Sequence, residues 1–168
     1  MRIGNSIDFH PFKKDRLFIL GGVTIQSEYG LDGVSDGDVL LHAIAEAILG
    51  ALALGDLGTH FKEEESEGMD SKIILQRAKE LMDTYSYKIV NVDSTILLES
   101  PKIGKYIPMM RHVIASILDC RVECVSVKAT TMEGCGIIGK KEGCLAFATV
   151  LLEEEFYGRN ERRTIWDN

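Results

Sequence analysis

The amino-acid sequence predicts a two-layer α+β domain, with helices on one face of a mixed four-stranded sheet and an additional N-terminal hairpin. Three observations predict this class. Several segments are β-branched and partly alternating, three others carry apolar residues at helical spacing, and a glycine pair interrupts an early apolar stretch. The order is strand, hairpin, helix, helix, strand, helix, strand, strand, which suits helices packed on one sheet face.

The first third of the chain is predicted to contain a strand, a hairpin and a helix. Residues 1–10 form the strand, and residues 17–25 form two apolar segments around a glycine pair, which indicates a hairpin or a bulge. Residues 29–38 are rich in turn-forming residues and are predicted to be a loop. Asp38 is a good N-cap candidate for a helix over residues 39–54.

The remaining elements follow from the same kinds of pattern. They are a helix at about 71–85 that Asp70-Ser71 can cap, a strand at 88–99, a helix from Pro108 to about Leu118, and strands at 125–129 and 144–152. A chain of 168 residues fits one domain. We therefore expect a single domain over residues 1–156 and a polar C-terminal tail over residues 157–168.

Composition and charge exclude several classes of partner. Hydrophobic residues make up 45% of the chain and charged residues 27%, and no apolar run approaches the roughly 18–20 residues that span a bilayer, so we expect no membrane partner. The formal net charge of -7 argues against nucleic-acid binding, which depends on clustered Lys and Arg. Because Met1–Gly4 lacks the features of a secretory signal, we expect a cytoplasmic location. The cysteines form no Cys-x2-Cys pair, which favours reduced thiols.

A candidate metal site lies near the start of the chain. Asp8 and His10 project from the same side of an extended strand, so a carboxylate and an imidazole meet there, as in zinc sites with an open position. His42, in the first turn of the first helix, leans back toward the loop before it and is the candidate third ligand. Taken alone, His42 is better explained as a hydrogen-bonded, half-buried histidine. The combination with Asp8 and His10 makes the case for a metal site.

Three loops bear on a site in different ways. Residues 100–104 follow a strand end, a normal place for ligand contacts, and residues 130–136 combine glycines with hydroxyl groups, which suggests a close approach to a ligand. The acidic run at residues 61–68 is better explained as a solvated loop.

Several sequence blocks, taken together and in order, resemble the 2-C-methyl-D-erythritol 2,4-cyclodiphosphate synthase family of the non-mevalonate isoprenoid pathway. They cover residues 2–152. The blocks are Arg2-Ile3-Gly4 with Asp8-x-His10, Leu20-Gly21-Gly22-Val23, Ser35-Asp36-Gly37-Asp38-Val39 with Leu41-His42-Ala43, Leu54-Gly55-Asp56-Leu57-Gly58, Asn91-Val92-Asp93-Ser94-Thr95, Pro101-Lys102, and Val127-Lys128-Ala129-Thr130-Thr131-x-Glu133.

The resemblance implies a homotrimer with active sites between adjacent subunits and a ring-closing phosphorus–oxygen lyase reaction. The substrate would be 4-diphosphocytidyl-2-C-methyl-D-erythritol 2-phosphate, whose 2-phosphate attacks the β-phosphorus of its cytidine diphosphate arm. The products are 2-C-methyl-D-erythritol 2,4-cyclodiphosphate and CMP. Such a reaction needs no protein nucleophile, and the protein's task is to fold the substrate back on itself and to neutralise crowded phosphate oxygens.

The resemblance also assigns roles to individual residues. Asp8, His10 and His42 would hold Zn²⁺, and Glu133 would face a second divalent cation, Mg²⁺ or Mn²⁺, on the substrate diphosphate. Thr131 matches a hydroxyl that acts in the transition state. The substrate-binding positions are Ser35, Asp56, Leu57, Gly58, Phe61, Glu63, Glu65, Ser100, Pro101, Lys102, Ile103, Gly104, Ala129, Thr130, Ile137 and Lys140.

Departures from the family pattern bear on catalysis. Val34 stands at a catalytic position where the family has histidine, and the loss of one such donor typically lowers the rate by about 10²–10³. An alternative function is therefore a catalytically weakened metal- and nucleotide-binding trimer. A third alternative is an α+β oligomer in which the Asp8, His10 and His42 side chains are only hydrogen-bonded. Other departures are Asn5-Ser6 for histidine and glycine, Glu46 for aspartate, Ile137 for an aromatic residue and Lys140 for arginine.

Overall fold

Helices pack on one face of the main sheet in the computed structural model, which describes residues 1–61 and 67–155. The predicted α+β class is confirmed. The strands are β1 (Arg2–Lys14), β2 (Phe18–Leu20), β3 (Val23–Ile25), β4 (Tyr29–Leu31), β5 (Tyr87–Leu97), β6 (Val125–Thr130) and β7 (Gly143–Glu154). The helices are α1 (Val39–Ala51), α2 (Leu57–His60), α3 (Ser71–Thr84), α4 (Ile107–Leu118) and α5 (Gly136–Gly139).

The sheet formed by the described residues has five strands, and the prediction of four is wrong. The strand order is β4-β1-β7-β5-β6, and the pairing is antiparallel except between β5 and β6. The additional strand is β4, because β1 continues past Pro11 to Lys14 and pairs with a segment that was expected to be a loop. The predicted hairpin is present as the separate β2–β3 pair, whose turn glycines have positive φ angles of 59° and 72°.

Strand β1 has one face toward helix α1 and one face uncovered. Its even-numbered residues face the helix, and Gly4 leaves room for close packing because a Cβ atom there would overlap the backbone of Ala47 and Ala51. On the opposite face Ile3 and Ile7 are 70% and 58% exposed. The alternation predicted for this strand therefore places Asp8 and His10 on the helix side.

Helix α1 begins where the sequence predicts. The Asp38 carboxylate accepts hydrogen bonds from the backbone N–H groups of Leu40 and Leu41, both at 3.1 Å, and from those of Gly21 at 2.9 Å and Gly22 at 2.6 Å. Burial raises the pKa of the Asp38 carboxyl, and these backbone donors oppose that effect. A single side chain therefore joins the hairpin to the start of the helix that carries His42.

The other long elements lie close to their predicted bounds. Asp70 caps α3, accepting a hydrogen bond from the N–H of Lys72 at 2.9 Å, and α4 has proline in its first turn. The four-residue helices α2 and α5 were not predicted, because one turn is too short for an apolar period. Within the described ranges, none of the helices is long and apolar enough to cross a membrane. The predicted tail, residues 157–168, lies outside those ranges.

Candidate active site

Three potential metal ligands converge beside the α1 side of β1. The Oδ2 atom of Asp8 lies 3.3 Å from Nε2 of His10 and 2.9 Å from Nδ1 of His42. The three ligand atoms all lie within 4.8 Å of one another. Ligands at about 2.0–2.2 Å from a tetrahedral zinc ion are separated by similar distances. The structure thus brings together the trio expected from the sequence.

The ring orientation of His10 is fixed by a hydrogen bond on the side away from Asp8. Its Nδ1 atom lies 2.6 Å from the carbonyl oxygen of Asp32. A carbonyl oxygen only accepts hydrogen bonds, so Nδ1 carries a hydrogen, and Nε2 is the ring nitrogen that faces Asp8 and is available as a metal ligand.

His42 is fixed by two serine hydroxyls. Its Nε2 atom lies 2.8 Å from Oγ of Ser71 and 3.1 Å from Oγ of Ser35. The Ser71 hydroxyl donates to the Asp36 carboxylate and therefore accepts from His42 Nε2–H. Nδ1 is then the ring nitrogen that faces the Asp8 carboxylate and is available as a metal ligand.

The electrostatics of this trio favour a cation. Burial acts to raise the pKa of Asp8, but hydrogen bonds and charge from His10 and His42 outweigh it and hold that pKa well below its usual range. The pKa of His10 is raised, above all by its hydrogen bond to Asp8. Two imidazole lone pairs and a carboxylate directed at one point require positive charge there, supplied by protons or by a metal. One oxygen and two nitrogen ligands fit a zinc ion that keeps an open position.

The loop before α1 borders the trio. Ser35 is buried, with its hydroxyl within hydrogen-bond distance of His42 Nε2. Val34 is 47% exposed and lines a cavity of about 580 Å³ together with Lys13, Arg16 and Gly33. Val34 therefore presents an apolar side chain to this cavity, on the loop whose residues Asp32 and Ser35 contact His10 and His42.

The segment Asp56–Gly58 forms the start of α2. The Asp56 carboxylate accepts hydrogen bonds from the Thr59 hydroxyl at 2.7 Å and from the Thr59 N–H at 2.9 Å, and the hydroxyl contributes most to lowering the pKa of Asp56. The N–H of Leu57 donates to Oε1 of Glu46 at 3.3 Å, and the other oxygen of Glu46 accepts from Ser6. Ser6 and Glu46, two of the departures from the family pattern, thus contact each other, and Glu46 also binds the backbone of this segment.

The remaining positions near this segment differ in accessibility. Phe61 is buried, with the Arg77 guanidinium 5.5 Å from its ring centroid. Glu63 and Glu65 lie outside the described residues.

A second group of predicted site residues lies at the ends of β5 and β6. The Thr131 hydroxyl donates to Oε1 of Glu133 at 2.6 Å, and Glu133 has a positive φ angle of 51°. The N–H of Leu98 donates to the Thr130 carbonyl at 3.0 Å, and that of Met132 donates to the Glu99 carboxylate at 3.2 Å. The loops that begin after β5 and β6 are therefore joined to each other.

The other predicted residues of this second group lie around these loops. Ile103 is buried, whereas Lys102 and Gly104 are exposed. Ala129 and Thr130 end β6 with exposed side chains, and Ile137 is exposed on α5, just before Lys140. Ser100 and Pro101 line a cavity of about 680 Å³ with Phe12 and Tyr29.

The two groups are separated within one chain. Phe9 pairs with Leu145, Leu145 with Leu97, and Leu97 with Thr130, so both groups lie at the same end of the sheet. Three strand spacings lie between β1 and β6, which corresponds to about 14 Å. A single chain does not bring Glu133 to Asp8.

Sequence reasoning missed the residues that support the metal ligands. Ser71 was assigned only a capping role, and the carbonyl of Asp32 carries no side-chain signal. The one available signal was the family block around Ser35 and Asp36, which contact His42 and Ser71.

Together the fold and the trio define an α+β protein with a candidate divalent-metal centre at one end of its sheet. The chain belongs to the YgbB family, whose family model matches residues 1–153. The resemblance seen in the sequence blocks is thereby confirmed.

Relatives with known names support the same family. A 2-C-methyl-D-erythritol 2,4-cyclodiphosphate synthase from Chloroherpeton thalassium is 50% identical over 156 residues, which cover 92% of this chain and 99% of the relative. The structure described as the CDP complex of IspF from Plasmodium falciparum has a TM-score of 0.83 and 34% identity, over 92% of this chain and 97% of that chain. The bifunctional IspDF from Campylobacter jejuni has a TM-score of 0.90 and 35% identity, over 94% of this chain and 43% of that longer chain.

Proposed function

We propose that this chain closes the ring of 4-diphosphocytidyl-2-C-methyl-D-erythritol 2-phosphate to give 2-C-methyl-D-erythritol 2,4-cyclodiphosphate and CMP. This reaction belongs to isoprenoid precursor synthesis by the non-mevalonate route, and its type is that of a phosphorus–oxygen lyase. The observation that carries the proposal is the complete Asp8–His10–His42 trio in a chain half identical to named synthases over nearly its whole length.

The bond changes balance without a co-substrate. An oxygen of the 2-phosphate forms a bond to the β-phosphorus, and the bond from that phosphorus to the oxygen bridging it to the α-phosphorus breaks. CMP leaves with the bridging oxygen, so neither water nor a protein nucleophile is consumed. The protein's contribution is to position the two phosphates and to stabilise their charge.

The metal side of the proposed site is formed by one subunit. Asp8, His10 and His42 would hold Zn²⁺, which when bound polarises a phosphate oxygen through its open position. Ser35 lies at the phosphate end. The segment Asp56–Gly58 would contact the hydroxyl groups of the methylerythritol, and the lowered pKa of Asp56 keeps its carboxylate ionised as a hydrogen-bond acceptor.

The nucleotide side would come from the adjacent subunit. Thr131 and the loops at residues 100–104 and 129–133 would hold the cytidine diphosphate arm, with Glu133 facing Mg²⁺ or Mn²⁺. The separation of about 14 Å within one chain supports a site shared between subunits. The uncovered apolar face of the sheet supports a homotrimer, since Ile3, Ile7 and Phe147 are exposed there and Phe147 pairs with Ile7. Ile137 and Lys140 would border the same arm.

Several further parts of the proposal rest on the sequence. They are a single domain over residues 1–156, a separate tail over residues 157–168, a cytoplasmic location and the absence of nucleic-acid partners. The net charge of -7 supports the last of these. Glu63 and Glu65 would contribute carboxylates at the edge of the substrate site.

A catalytically weakened binding trimer is the second candidate function. The observation that favours it is the exposed Val34 side chain, which provides neither a hydrogen-bond donor nor a charge beside the trio. In this case the protein would bind Zn²⁺ and cytidine nucleotides with little turnover.

The deciding experiment is an activity assay with zinc-loaded protein, the named substrate and Mg²⁺, followed by ³¹P NMR and mass spectrometry. We expect CMP and the cyclic product in equal amounts, and neither from Asp8→Asn. If the folded, zinc-containing wild type forms neither product, the synthase proposal is wrong. Elemental analysis tests the hydrogen-bond-only alternative, because about one zinc per chain that is lost in Asp8→Asn contradicts it.

A further inference from the structure

Arg16 lies in the turn between β1 and β2, and its side chain forms hydrogen bonds to the loop that precedes α1. Its Nη1 atom donates to Oδ1 of Asp32 at 3.1 Å and to the carbonyl oxygen of Gly33 at 2.9 Å, and its Nη2 atom donates to the carbonyl oxygen of Ser35 at 2.6 Å. Three acceptors within four successive residues match the rigid fork of a guanidinium. One side chain therefore donates hydrogen bonds to three of the four residues 32–35.

The same four residues support both histidines of the trio. The Asp32 carbonyl accepts the hydrogen bond from Nδ1 of His10 at 2.6 Å, and the Ser35 hydroxyl lies 3.1 Å from Nε2 of His42. Arg16 touches neither imidazole, but it contacts both residues that orient them.

We infer that Arg16 is a positioning residue for the metal centre, setting the ring orientations of His10 and His42 through the backbone of residues 32–35. The inference rests on the proposed metal site. Groups that orient metal ligands typically contribute about 10–100-fold to metal affinity. Arg16 holds two such groups at once, so its loss affects two of the three ligands.

The direction in which metal affinity changes when Arg16 is removed distinguishes a positioning role from a purely electrostatic one. A nearby cation opposes the binding of another positive charge at the centre. If Arg16 mattered only through its charge, its removal would strengthen binding of a divalent metal. Positioning predicts the opposite result, a weaker metal site.

Lys13 provides a matched control. Its Nζ atom lies 3.0 Å from Oδ1 of Asp32, the same carboxylate oxygen that Arg16 contacts. Lys13 makes no hydrogen bond to the carbonyls of Gly33 or Ser35 within the described residues. Lys13→Met therefore removes an equal charge and leaves the hydrogen bonds from Arg16 to the loop in place.

The experiment measures Zn²⁺ affinity of the full chain by competition with a chromophoric chelator. We expect Arg16→Gln to bind Zn²⁺ about 10–100-fold more weakly, Arg16→Lys to be weakened as well, and Lys13→Met to stay within about threefold of wild type. Arg16→Lys also serves if Arg16→Gln does not fold, as judged by circular dichroism. Unchanged or tighter binding in the Arg16 variants overturns the inference.

A metal-free readout keeps this test separate from that of the proposed function. Imidazole ¹⁵N NMR reports which ring nitrogen carries the hydrogen. At a pH where His10 is neutral, we expect it to hold its hydrogen on Nδ1 in the wild type and in Lys13→Met, and to become a mixture of tautomers in Arg16→Gln. If the wild type binds no Zn²⁺, the metal proposal fails, and identical imidazole spectra in wild type and Arg16→Gln would still overturn the positioning role.

Discussion

The Oγ atom of Ser71 lies 2.8 Å from Nε2 of His42, although the two residues are 29 positions apart and belong to different helices. Ser71 is fully buried, and its hydroxyl hydrogen is committed to Asp36. It therefore accepts the hydrogen of His42 and turns the other ring nitrogen toward Asp8. The packing of α3 on α1 thus determines which nitrogen of His42 faces the candidate metal site.

Ser71→Ala tests this relationship. We expect Zn²⁺ affinity to fall by about tenfold or more, because His42 loses its better hydrogen-bond acceptor. Ser94→Ala is the control, since Ser94 is also buried and donates to the Ser126 carbonyl at 2.9 Å, on β5. Both variants lose about 1 kcal/mol of unfolding free energy, but only Ser71→Ala changes the affinity measured by chelator competition. Equal affinities in the two variants would contradict the role of Ser71.

Ser6 and Glu46 are expected to be energetically coupled. The Ser6 hydroxyl donates to the Glu46 carboxylate, which also holds the N–H of Leu57. Ser6→Gly leaves one carboxylate oxygen without its donor, and Glu46→Asp shortens the reach to both partners. Urea unfolding of the two single variants and the double variant should give a coupling energy of about 1 kcal/mol. Strict additivity would show that the two residues act independently.

The ionisation of Asp56 is expected to depend on Thr59. The Thr59 hydroxyl is the main cause of the lowered pKa of Asp56, so Thr59→Val should move that pKa up toward the ordinary value of about 3.9. Thr59→Ser keeps a hydroxyl and should leave the pKa low. A ¹³C NMR titration of the side-chain carboxyl measures both, and an unshifted pKa in Thr59→Val refutes the assignment.

The sign of the associated stability effect follows from the same shift. Because the pKa of Asp56 is lower in the folded chain than in the unfolded chain, the ionised carboxylate stabilises the fold above the unfolded value. This contribution is lost as the pH falls through the lowered folded value.

Val34→His is expected to increase turnover. The substitution adds an N–H donor beside the phosphate end of the proposed site, and the loss of one such donor elsewhere lowers the rate by about 10²–10³. We expect kcat to rise by at least about tenfold with a smaller change in KM, and no increase for the apolar control Val34→Leu. Zinc content must stay at the wild-type level, so that the new histidine is known not to have displaced a ligand. A Val34→His variant no faster than wild type argues that another group already supplies this stabilisation.

Local patterns accounted for the parts of the site that depend on one element. Alternation along a strand placed Asp8 and His10 on one side, and the capping preference of Asp38 located the start of α1. The direction in which helical side chains lean was enough to bring His42 toward that strand. Each of these inferences needs only the geometry of a few neighbouring residues.

Contacts between distant segments were beyond such patterns. The pairing of β4 with β1 involves only three residues on each strand, which is too short a stretch to show alternation. The contacts of Arg16 and Ser71 depend on how loops and helices pack. The insertion of β7 between β1 and β5 separates Glu133 from Asp8, and nothing in the individual strands specifies that order.

The buried carboxylate of Asp38 makes the hairpin and α1 one cooperative folding unit. Without the N–H groups of Gly21 and Gly22 it would keep only two of its four backbone donors, and leaving a buried acceptor unsatisfied destabilises proteins by about 1–3 kcal/mol. Opening the hairpin alone therefore also removes support from the carboxylate that caps the helix. In hydrogen exchange, the amide of Gly22 should be protected to the same extent as that of Leu41, one residue before His42, so that the metal centre forms only when the hairpin does.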